Sequence, residues 1–472
     1  MLLEPQPILP VDELGAVHFI AIGGSGMSGV AQLYLERGRP VSGSDQADSP
    51  ELSRLAAAGA KVWVGHDASR LGPVDTVVVS TAIQPDNVEL TEARRRGLRI
   101  WHRSTALAAL TLGSSTIAVA GTHGKTTTSA MIVRALNGAG LDPSYVIGST
   151  LADTGQSAHW GRPVRDRSAI FVVEADESDG SFLQYPSQIQ VVPSVEADHL
   201  DNWGSAEAYR AGFERFLRGP AVVQTICSGD DPGAAALAQG LAAERRPVWT
   251  YGESEGCRLQ LSQLTLDGLN PSAWLQTPDW SGRLRLAVPG RHNLHNAAAA
   301  VAAGLSQGCA AADLVAALAD FSGAGRRFEL VGRAGGVTVY DDYAHHPTEI
   351  AVTLAAAREV AAGARVVALF QPHLFTRTRD WADQFGAALA AADLVLVCDV
   401  YPARERPIAG VSGRLVADAA SRHGAETLYR PSLDQAVRAL ADLVQPGDLV
   451  LTLGAGDVTA VGPRLLRSWD AA

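Results

Sequence analysis

Short runs of β-branched and other apolar residues alternate with Ala- and Leu-rich stretches along most of this chain, and this alternation limits its fold most strongly. Such runs at 17–22, 116–120 and 366–370 are each followed by a stretch of helical character. This alternation is typical of parallel sheets covered by helices, because parallel strands need long crossover connections. The sequence therefore predicts an α/β fold. Its 472 residues favour about three domains at ~150 residues per domain.

Changes in this pattern predict three domains, at residues 1–107, 108–324 and 325–472. We expect Rossmann-like sheets in the first and third domains and a mostly parallel sheet, like that of P-loop ATPases, in the central one. Polar and apolar residues alternate between 257 and 288. This alternation predicts an antiparallel insertion or edge in the central domain.

The charge balance excludes several classes of partner. The 39 basic and 50 acidic residues give a net charge of −11, so we expect no nucleic-acid partner. No apolar run approaches the ~18 residues of a membrane span, and the first ten residues lack the features of a secretory leader. We therefore predict a cytoplasmic protein without membrane insertion. The four scattered cysteines predict neither disulfides nor a zinc site.

A first glycine-rich turn, Gly-Ser-Gly-Met-Ser-Gly at 24–29, follows an apolar strand and leads into a helix. Its spacing is that of a dinucleotide-binding turn, and Asp45 lies where an acidic residue can bind a ribose hydroxyl. Any diphosphate-linked nucleoside would fit such a turn, so the spacing leaves the nucleotide open. A tight turn without a ligand is the structural alternative.

A second turn, Gly-Thr-His-Gly-Lys-Thr-Thr-Thr at 121–128, predicts a phosphate-binding loop, although Val119 replaces the first glycine of the full pattern. Lys125 could neutralise the outer phosphates of a nucleotide, and Thr126 could bind Mg²⁺. Only two of the 39 basic residues are lysines, Lys61 and Lys125. Because arginine is otherwise used throughout, a lysine in this turn indicates chemistry that a planar guanidinium cannot supply.

Acidic segments follow two further strands of the central domain. One contains Glu174, Asp176, Glu177 and Asp179, and the other, 196–201, contains His199. Carboxylates at the carboxyl edge of a parallel sheet can bind Mg²⁺ beside a phosphate loop. The alternatives are a solvated acidic loop and a histidine that is only hydrogen-bonded at the surface.

With these motifs, the chain resembles the ATP-dependent Mur ligases of peptidoglycan synthesis, most closely the branch that adds alanine. The resemblance spans nearly the whole chain and rests on six motifs in order, at residues 23–27, 121–126, 174–178, 290–296, 326–329 and 341–347. It implies that L-alanine is joined to the lactyl carboxylate of UDP-N-acetylmuramate through an acyl phosphate. ATP and Mg²⁺ are the implied cofactors, and a monomer or homodimer is expected.

The resemblance also implies roles for individual residues. The UDP-sugar would be bound by Gly24, Ser25, Gly26, Met27, Asp45, Ser80, Thr81 and Ala82. ATP would be bound by Gly121, Thr122, His123, Gly124, Lys125, Thr126, Thr127, His292, Asn293, Asn296, Arg327 and Asp342. The metal would be bound by Thr126, Glu174 and His199, and the amino acid by His346, Arg377 and Arg379. The implied catalytic residues are Lys125, Glu174, His199, Arg327 and His346.

Several alternatives stay open from the sequence. The nearest is a recycling ligase that joins an intact tripeptide to the same nucleotide sugar. An enzyme similar to folylpolyglutamate synthase leaves the first domain unexplained, and a nicotinamide-dependent oxidoreductase leaves Lys125 without a role. A nucleotide-binding regulator would not need both acidic segments. Several sister ligases place a carbamylated lysine at the position that aligns with Phe213, so the resemblance implies that this chain works without that modification.

Overall fold

The computed structural model describes residues 2–164, 167–403 and 405–470 and contains three sheets of five, ten and six strands. Helices connect most of the parallel strands, which confirms the predicted α/β fold with three domains. Among the described residues, no helix combines the length and apolar character needed to cross a membrane. All four cysteines are free, and two of them, Cys227 and Cys398, are buried.

The first sheet is entirely parallel, in the order β3-β2-β1-β4-β5. Its elements are β1 Val17–Ile20, α1 Ser25–Glu36, β2 Val41–Asp45, α2 Pro50–Ala57, β3 Lys61–Val64, β4 Thr76–Val79, α3 Val88–Arg95, β5 Arg99–His102 and α4 Arg103–Thr111. The chain passes to opposite sides of β1 for β2 and β4, so a crevice is expected at the carboxyl end of β1. Lys61 lies exposed on the edge strand β3, where a charge discourages pairing with another chain.

The second sheet has the order β15-β14-β13-β12-β11-β10-β6-β9-β7-β8. Its strands are β6 Ser115–Val119, β7 Ser144–Val146, β8 Ala158–His159, β9 Ile170–Glu174, β10 Ile189–Val192, β11 Gln224–Ser228, β12 Val248–Gly252, β13 Leu259–Thr265, β14 Ser272–Gln276 and β15 Ser281–Arg285. Its helices are α5 Lys125–Gly138, α6 Leu200–Trp203, α7 Ala206–Leu217, α8 Pro232–Ala243, α9 Arg291–Ser306 and α10 Ala311–Leu318.

Strands β10, β6 and β9 are parallel neighbours in the second sheet. The second glycine turn follows β6, and the two acidic segments follow β9 and β10. All three segments therefore lie at one carboxyl edge. The strands β13, β14 and β15 are joined by 266–271 and 277–280, which are too short for parallel crossovers. The alternating segment thus forms the expected antiparallel edge of the sheet.

The third sheet has the order β16-β17-β21-β18-β19-β20, and only β16 is antiparallel to its neighbour. Its elements are β16 Glu329–Ala334, β17 Val337–Asp342, α11 Pro347–Ala361, β18 Val366–Phe370, α12 Phe375–Leu389, β19 Leu394–Val397, α13 Arg414–Arg422, β20 Thr427–Tyr429, α14 Leu433–Leu443, β21 Leu449–Leu453 and α15 Val461–Asp470. Both faces of this sheet are covered by apolar clusters that include Phe370 and Leu369.

Residue packing divides the chain into two compact units. The first comprises Met1–Ser262, Leu275–Gly282 and His295–Leu318, and the second comprises Gln263–Trp274, Arg283–Leu294 and Ala319–Ala472. The first two glycine turns and both acidic segments belong to the first unit, whereas the motifs at 326–329 and 341–347 belong to the second.

Candidate active site

The first glycine turn connects β1 to α1, and its tightest packing is at Gly23. The Gly23 N–H donates to Asp45 Oδ2 at 2.9 Å, and a Cβ at this position would lie 2.6 Å from Leu52 Cδ1. Gly24 caps α1 with an ordinary φ of −62°. Met27, a predicted UDP-sugar residue, is buried in the domain core. The turn therefore presents backbone N–H groups at the start of α1, and Asp45 holds its path.

The loop Ser80–Ala82 follows β4, which is paired with β1. The Ile83 N–H donates to the Ser80 carbonyl at 3.1 Å and closes a turn there. Thr81 and Ala82 are exposed. Because β1 and β4 are parallel neighbours, this loop and the first glycine turn follow the same sheet edge, as the UDP-sugar assignment requires.

The second glycine turn needs glycine at two positions. Gly121 and Gly124 have φ values of 154° and 81°, and a Cβ on Gly121 would lie 2.8 Å from the Ser194 carbonyl oxygen. The Ser194 hydroxyl accepts a hydrogen bond from the His123 N–H at 2.8 Å. His123 Nε2 lies 3.1 Å from Glu196 Oε2. The segment after β10 therefore holds the phosphate loop in shape.

Lys125 lies folded back into this loop at the start of α5. Its Nζ donates to the carbonyl of Gly121 at 2.6 Å and to Glu177 Oε1 at 3.0 Å. Burial opposes its charge, but the nearby carboxylates, Glu177 first, outweigh burial and raise the pKa of the ammonium. Burial raises the pKa of Glu177 to about 7. A fixed ammonium at the start of a helix that follows a glycine-rich loop is suited to the phosphates of a nucleoside triphosphate.

Thr126 and Glu174 form an oxygen-lined pair beside Lys125. The Thr126 hydroxyl donates to Glu174 Oε1 at 2.9 Å, and the second carboxylate oxygen accepts from the Gly148 N–H at 2.6 Å. Hydroxyl and carboxylate oxygens are the ligands that Mg²⁺ prefers. The structure thus brings together two of the three predicted metal ligands.

His199, the third predicted ligand, has a left-handed backbone with φ of 53° just before α6. Its Nε2 lies 3.5 Å from Asp198 Oδ2 and 4.0 Å from Glu177 Oε1. The imidazole is therefore placed beside the carboxylate that also contacts Lys125. Left-handed backbone in a residue other than glycine is concentrated at functional sites.

The predicted adenine residues lie at the start of α9. Asn296 Oδ1 accepts a hydrogen bond from the Thr128 hydroxyl at 3.1 Å and lies 2.9 Å from the position of a Cβ on Gly124. Asn293 Nδ2 donates to the Pro289 carbonyl at 2.7 Å. Asn296 thus packs directly on the phosphate loop, and the contact of His292, Asn293 and Asn296 with adenine stays a prediction.

In the second unit, Asp342 ends β17 and organises the motif at 326–329. Its carboxylate oxygens accept from the Phe328 and Ala344 N–H groups, each at 2.8 Å. Burial raises the pKa of Asp342 to about 6. The Arg327 guanidinium lies 5.2 Å from the centre of the Tyr343 ring. The predicted partners Arg327 and Asp342 are therefore brought to one end of the third sheet.

The predicted amino-acid residues differ in their surroundings. His346 is buried, caps α11 through the Thr348 N–H at 3.3 Å, and packs 4.6 Å from the Trp381 ring. Arg377 is buried on α12, whereas Arg379 is exposed and pairs with Asp380 at 2.6 Å. Positions two apart on a helix point to nearly opposite sides at about 100° per residue. The structure therefore separates the two arginines.

Two residues of the first unit that contact these loops were not predicted from the sequence. Ser194, which shapes the phosphate loop, lies just before the acidic segment 196–201 and outside every sequence motif. Arg103 begins α4, and its Nη2 donates to Asp176 Oδ2 at 2.9 Å. Only its position directly after β5, at the carboxyl edge of the first sheet, could have indicated a role.

Three models of known domains match successive parts of the chain. The catalytic domain of the Mur ligase family matches residues 16–114, the Mur ligase middle domain matches 119–304, and the Mur ligase glutamate ligase domain matches 326–456. The chain belongs to the Mur ligase family. The domain boundaries at 107 and 324 stay predictions.

This Mur ligase is similar in sequence and in structure to individual ligases of the family. It is 56% identical over 467 residues to the UDP-N-acetylmuramate–L-alanine ligase of Cutibacterium acnes, with 98% of each chain covered. The structure is similar to that of the UDP-N-acetylmuramate-alanine ligase of Thermotoga maritima, with a TM-score of 0.81, 27% identity and coverage of 97% and 99%. The murein peptide ligase of Psychrobacter arcticus has a TM-score of 0.72, 26% identity and the same coverage.

Phe213, where the resemblance places the modified lysine of sister ligases, is fully buried in this Mur ligase. Its ring lies 5.2 Å from those of Phe182 and Tyr209. An apolar aromatic cluster therefore fills this place, and it offers no side chain that could be carbamylated.

Proposed function

We propose that this Mur ligase joins L-alanine to UDP-N-acetylmuramate at the expense of ATP, giving UDP-N-acetylmuramoyl-L-alanine, ADP and phosphate. The observation that carries the proposal is the grouping of Lys125, Glu177, Thr126 and Glu174 at one sheet edge, beside a loop with left-handed glycines. The Cutibacterium acnes and Thermotoga maritima proteins, whose names state this reaction, support the choice of substrates.

The first chemical step activates a poor electrophile. With the ATP phosphates on the loop 121–126, an oxygen of the lactyl carboxylate attacks the γ-phosphorus, the bond to the β-phosphate oxygen breaks, and ADP leaves. Lys125 neutralises charge on the transferred group through its fixed ammonium. The product is an acyl phosphate, whose carbonyl carbon accepts an amine.

The second step forms the amide. The free amine of L-alanine attacks the acyl carbon, the carbon–oxygen bond to phosphate breaks, and the amine loses a proton. Backbone N–H groups and cationic side chains at the site stabilise the tetrahedral oxyanion. We propose that His346, Arg377 and Arg379 bind the amino acid, with the buried Arg377 the better placed of the two arginines to hold its carboxylate in a desolvated pocket.

The oxygen donors of Thr126 and Glu174 fit Mg²⁺, and these residues would hold it. Bound there, Mg²⁺ would supply charge neutralisation of the ATP phosphates. We include His199 in the proposed metal set because of its place beside Glu177, although its nitrogen is a weaker Mg²⁺ ligand than an oxygen.

The other assignments complete the proposal. We propose that the UDP-sugar is bound by Gly24, Ser25, Gly26, Met27, Asp45, Ser80, Thr81 and Ala82. ATP is further bound by Gly121, Thr122, His123, Gly124, Thr127, His292, Asn293, Asn296, Arg327 and Asp342. We also propose that the protein acts in the cytoplasm as a monomer or homodimer.

Phosphate release by the purified protein tests the reaction. One vessel contains ATP, Mg²⁺, UDP-N-acetylmuramate and L-alanine, and a second contains the intact tripeptide instead. We expect release only with L-alanine, with a product of matching mass. Release only with the tripeptide would assign the chain to the recycling branch, which the likeness to the Psychrobacter arcticus murein peptide ligase makes the second candidate. No release in either vessel would contradict a catalytic role.

A further inference from the structure

Arg103 stands between the two nucleotide-binding regions of the first unit. It is the first residue of α4, directly after β5, and its side chain is 28% exposed. His102 caps this helix by accepting the Ser104 N–H at 3.3 Å. The start of α4 is thereby fixed, and with it the position from which the Arg103 side chain extends.

One edge of the Arg103 guanidinium faces the first glycine turn. A Cβ built on Gly26 would lie 2.8 Å from Nη1 and 3.4 Å from Cζ of Arg103. The guanidinium therefore occupies the space that a side chain at position 26 would need, next to the first turn of α1. A side chain at position 26 would have to displace the guanidinium, and because the backbone φ of Gly26 is not a left-handed one, only this contact favours glycine there.

The other terminal nitrogen of the guanidinium is bound by the acidic segment after β9. Nη2 of Arg103 donates to Asp176 Oδ2 at 2.9 Å, and Asp176 Oδ1 accepts from the Ser178 N–H at 3.0 Å. Burial raises the pKa of Asp176, but Arg103 and its other partners outweigh burial and hold that pKa below its usual value. Asp176 therefore stays ionised and fixes the orientation of the guanidinium.

This arrangement meets a need that the glycine turn cannot meet alone. The turn and its flanks from Ala21 to Gly29 carry no basic side chain, and the chain as a whole has a net charge of −11. The start of α1 offers backbone N–H groups and the positive end of a helix dipole, which amount to about half a charge. A diphosphate carries more negative charge than that, and an arginine fork can bind a carboxylate along one edge and phosphate oxygens along another.

We infer that Arg103 is a further substrate-binding residue, whose guanidinium binds the diphosphate of the UDP-sugar at the first glycine turn while Asp176 holds it in place. The inference rests on the proposed function, which locates the UDP-sugar at the first glycine turn. It adds the residue whose positive charge balances the diphosphate. Because Asp176 lies beside Glu177, which contacts Lys125, it also connects UDP-sugar binding to the segment that forms the phosphate site.

The test compares binding of UDP-N-acetylmuramate, UDP and uridine to the full-length wild type and to Arg103→Lys, Arg103→Ala and Asp176→Asn, by calorimetry and by competition in turnover. We expect Arg103→Ala to weaken UDP and UDP-N-acetylmuramate binding by about 30-fold or more, and Arg103→Lys and Asp176→Asn by about 5- to 10-fold, in line with the loss of charge-assisted hydrogen bonds. Binding of uridine, which has no phosphate, should change less than twofold.

Arg215→Lys is the matched control, because Arg215 also forms an ion pair, with Glu4 at 2.7 Å, and belongs to neither turn. Its ligand affinities should equal those of the wild type, and thermal unfolding should show every variant folded. Equal loss of UDP and uridine binding, or unchanged UDP binding in Arg103→Ala, would overturn the inference. If either result is found with a wild type that turns over normally, the proposed function stands and only the inference about Arg103 fails. A wild type that binds no UDP-N-acetylmuramate would overturn both the proposed function and the inference.

Discussion

The two glycine-rich turns of the first unit have the same topology and different construction. Each follows a strand with neighbours on both sides and begins a helix, α1 or α5. The first turn keeps ordinary φ at Gly24 and carries no charge of its own, whereas the second has left-handed Gly124 and its own Lys125. The second turn is thus shaped by left-handed glycines and carries its charge within the motif, whereas the left-handed residue of the first turn is Ala21, with φ of 62°, ahead of the glycines. The first depends on side chains from elsewhere, Asp45 and Arg103.

The difference shows that glycine spacing reports the path of the backbone and not the ligand. Both turns direct helix N–H groups toward a carboxyl edge, so both suit an anion. Only the surrounding charges distinguish a triphosphate site from a nucleotide-sugar site. In the second turn Glu177 keeps Lys125 charged and folded back. The following experiments test this contrast, beginning with the largest expected effect.

Lys125→Ala should reduce kcat/KM for ATP by about 10³-fold or more, because the fixed charge on the transferred phosphoryl group is lost. Lys125→Arg should fail nearly as badly, since a planar guanidinium cannot occupy the space between the Gly121 carbonyl and Glu177. Binding of UDP-N-acetylmuramate should be unchanged. Phosphate release and calorimetry measure the two effects.

Lys61→Ala is the control for this substitution, since Lys61 is the other lysine and lies exposed on an edge strand. It should turn over at the wild-type rate. Turnover by Lys125→Arg at more than about a tenth of the wild-type rate would show that the second turn needs only a positive charge.

Gly124→Ala should destabilise the protein by about 1–2 kcal/mol, because an L-residue at φ of 81° is strained and its Cβ would lie 2.9 Å from Asn296 Oδ1. We expect a fall of several degrees in the apparent Tm and weaker ATP binding. Differential scanning calorimetry with and without ATP and Mg²⁺ measures both. An unchanged Tm would show that the second turn does not need a left-handed glycine and would remove the contrast with the first.

The pH dependence of stability tests the buried pair of the second turn. The pKa of Glu177 is raised by burial from 4.5 to about 7. Between these values the folded protein binds more protons at this carboxyl than the unfolded chain, so its contribution to stability falls as pH rises from about 4.5 to about 7. The Tm of the wild type minus the Tm of Glu177→Gln should therefore decrease as the pH rises from about 4.5 to about 7. Parallel Tm profiles for the two proteins would contradict the assigned burial.

Gly24→Ala should have the smallest effect, within about 0.5 kcal/mol of wild-type stability. Its φ is ordinary, and a Cβ there would have the Ala21 oxygen at 3.4 Å and Met27 Cγ at 4.0 Å as its nearest neighbours. Gly23→Ala is the matched comparison, because its Cβ would clash with Leu52 at 2.6 Å. Thermal unfolding of both should rank Gly23→Ala as clearly less stable, and the reverse order would refute the description of the first turn.

The sequence predicts the features of this site that depend on local pattern. Strand and turn signals locate both glycine turns, and the acidic segments after β9 and β10 follow from the rule that parallel strands end at one edge. The scarcity of lysine also indicates a special role for Lys125. The resemblance to Mur ligases then supplied the substrates, which local pattern cannot supply.

The residues that sequence analysis missed act across long separations in the chain. Arg103 binds Asp176 across 73 positions, and Ser194 binds His123 across 71. No periodicity relates such pairs, because their contact is created by the sheet order. The steric need for glycine also depends on residues that are distant in the sequence. The glycine-rich pattern begins at Gly24, yet the close contact that demands glycine is between Gly23 and Leu52. The opposite directions of the Arg377 and Arg379 side chains likewise follow only from the observed helix α12.

The two lysines also determine how this protein can be chemically labelled. Lys61 is exposed on β3, while the Lys125 amine is engaged by two carbonyls and a carboxylate. An amine-directed dye will therefore modify Lys61 far faster than Lys125, so of the two lysines Lys61 is the one at which a fluorophore can be placed on the first domain without mutagenesis. Such a label leaves the phosphate loop chemically untouched.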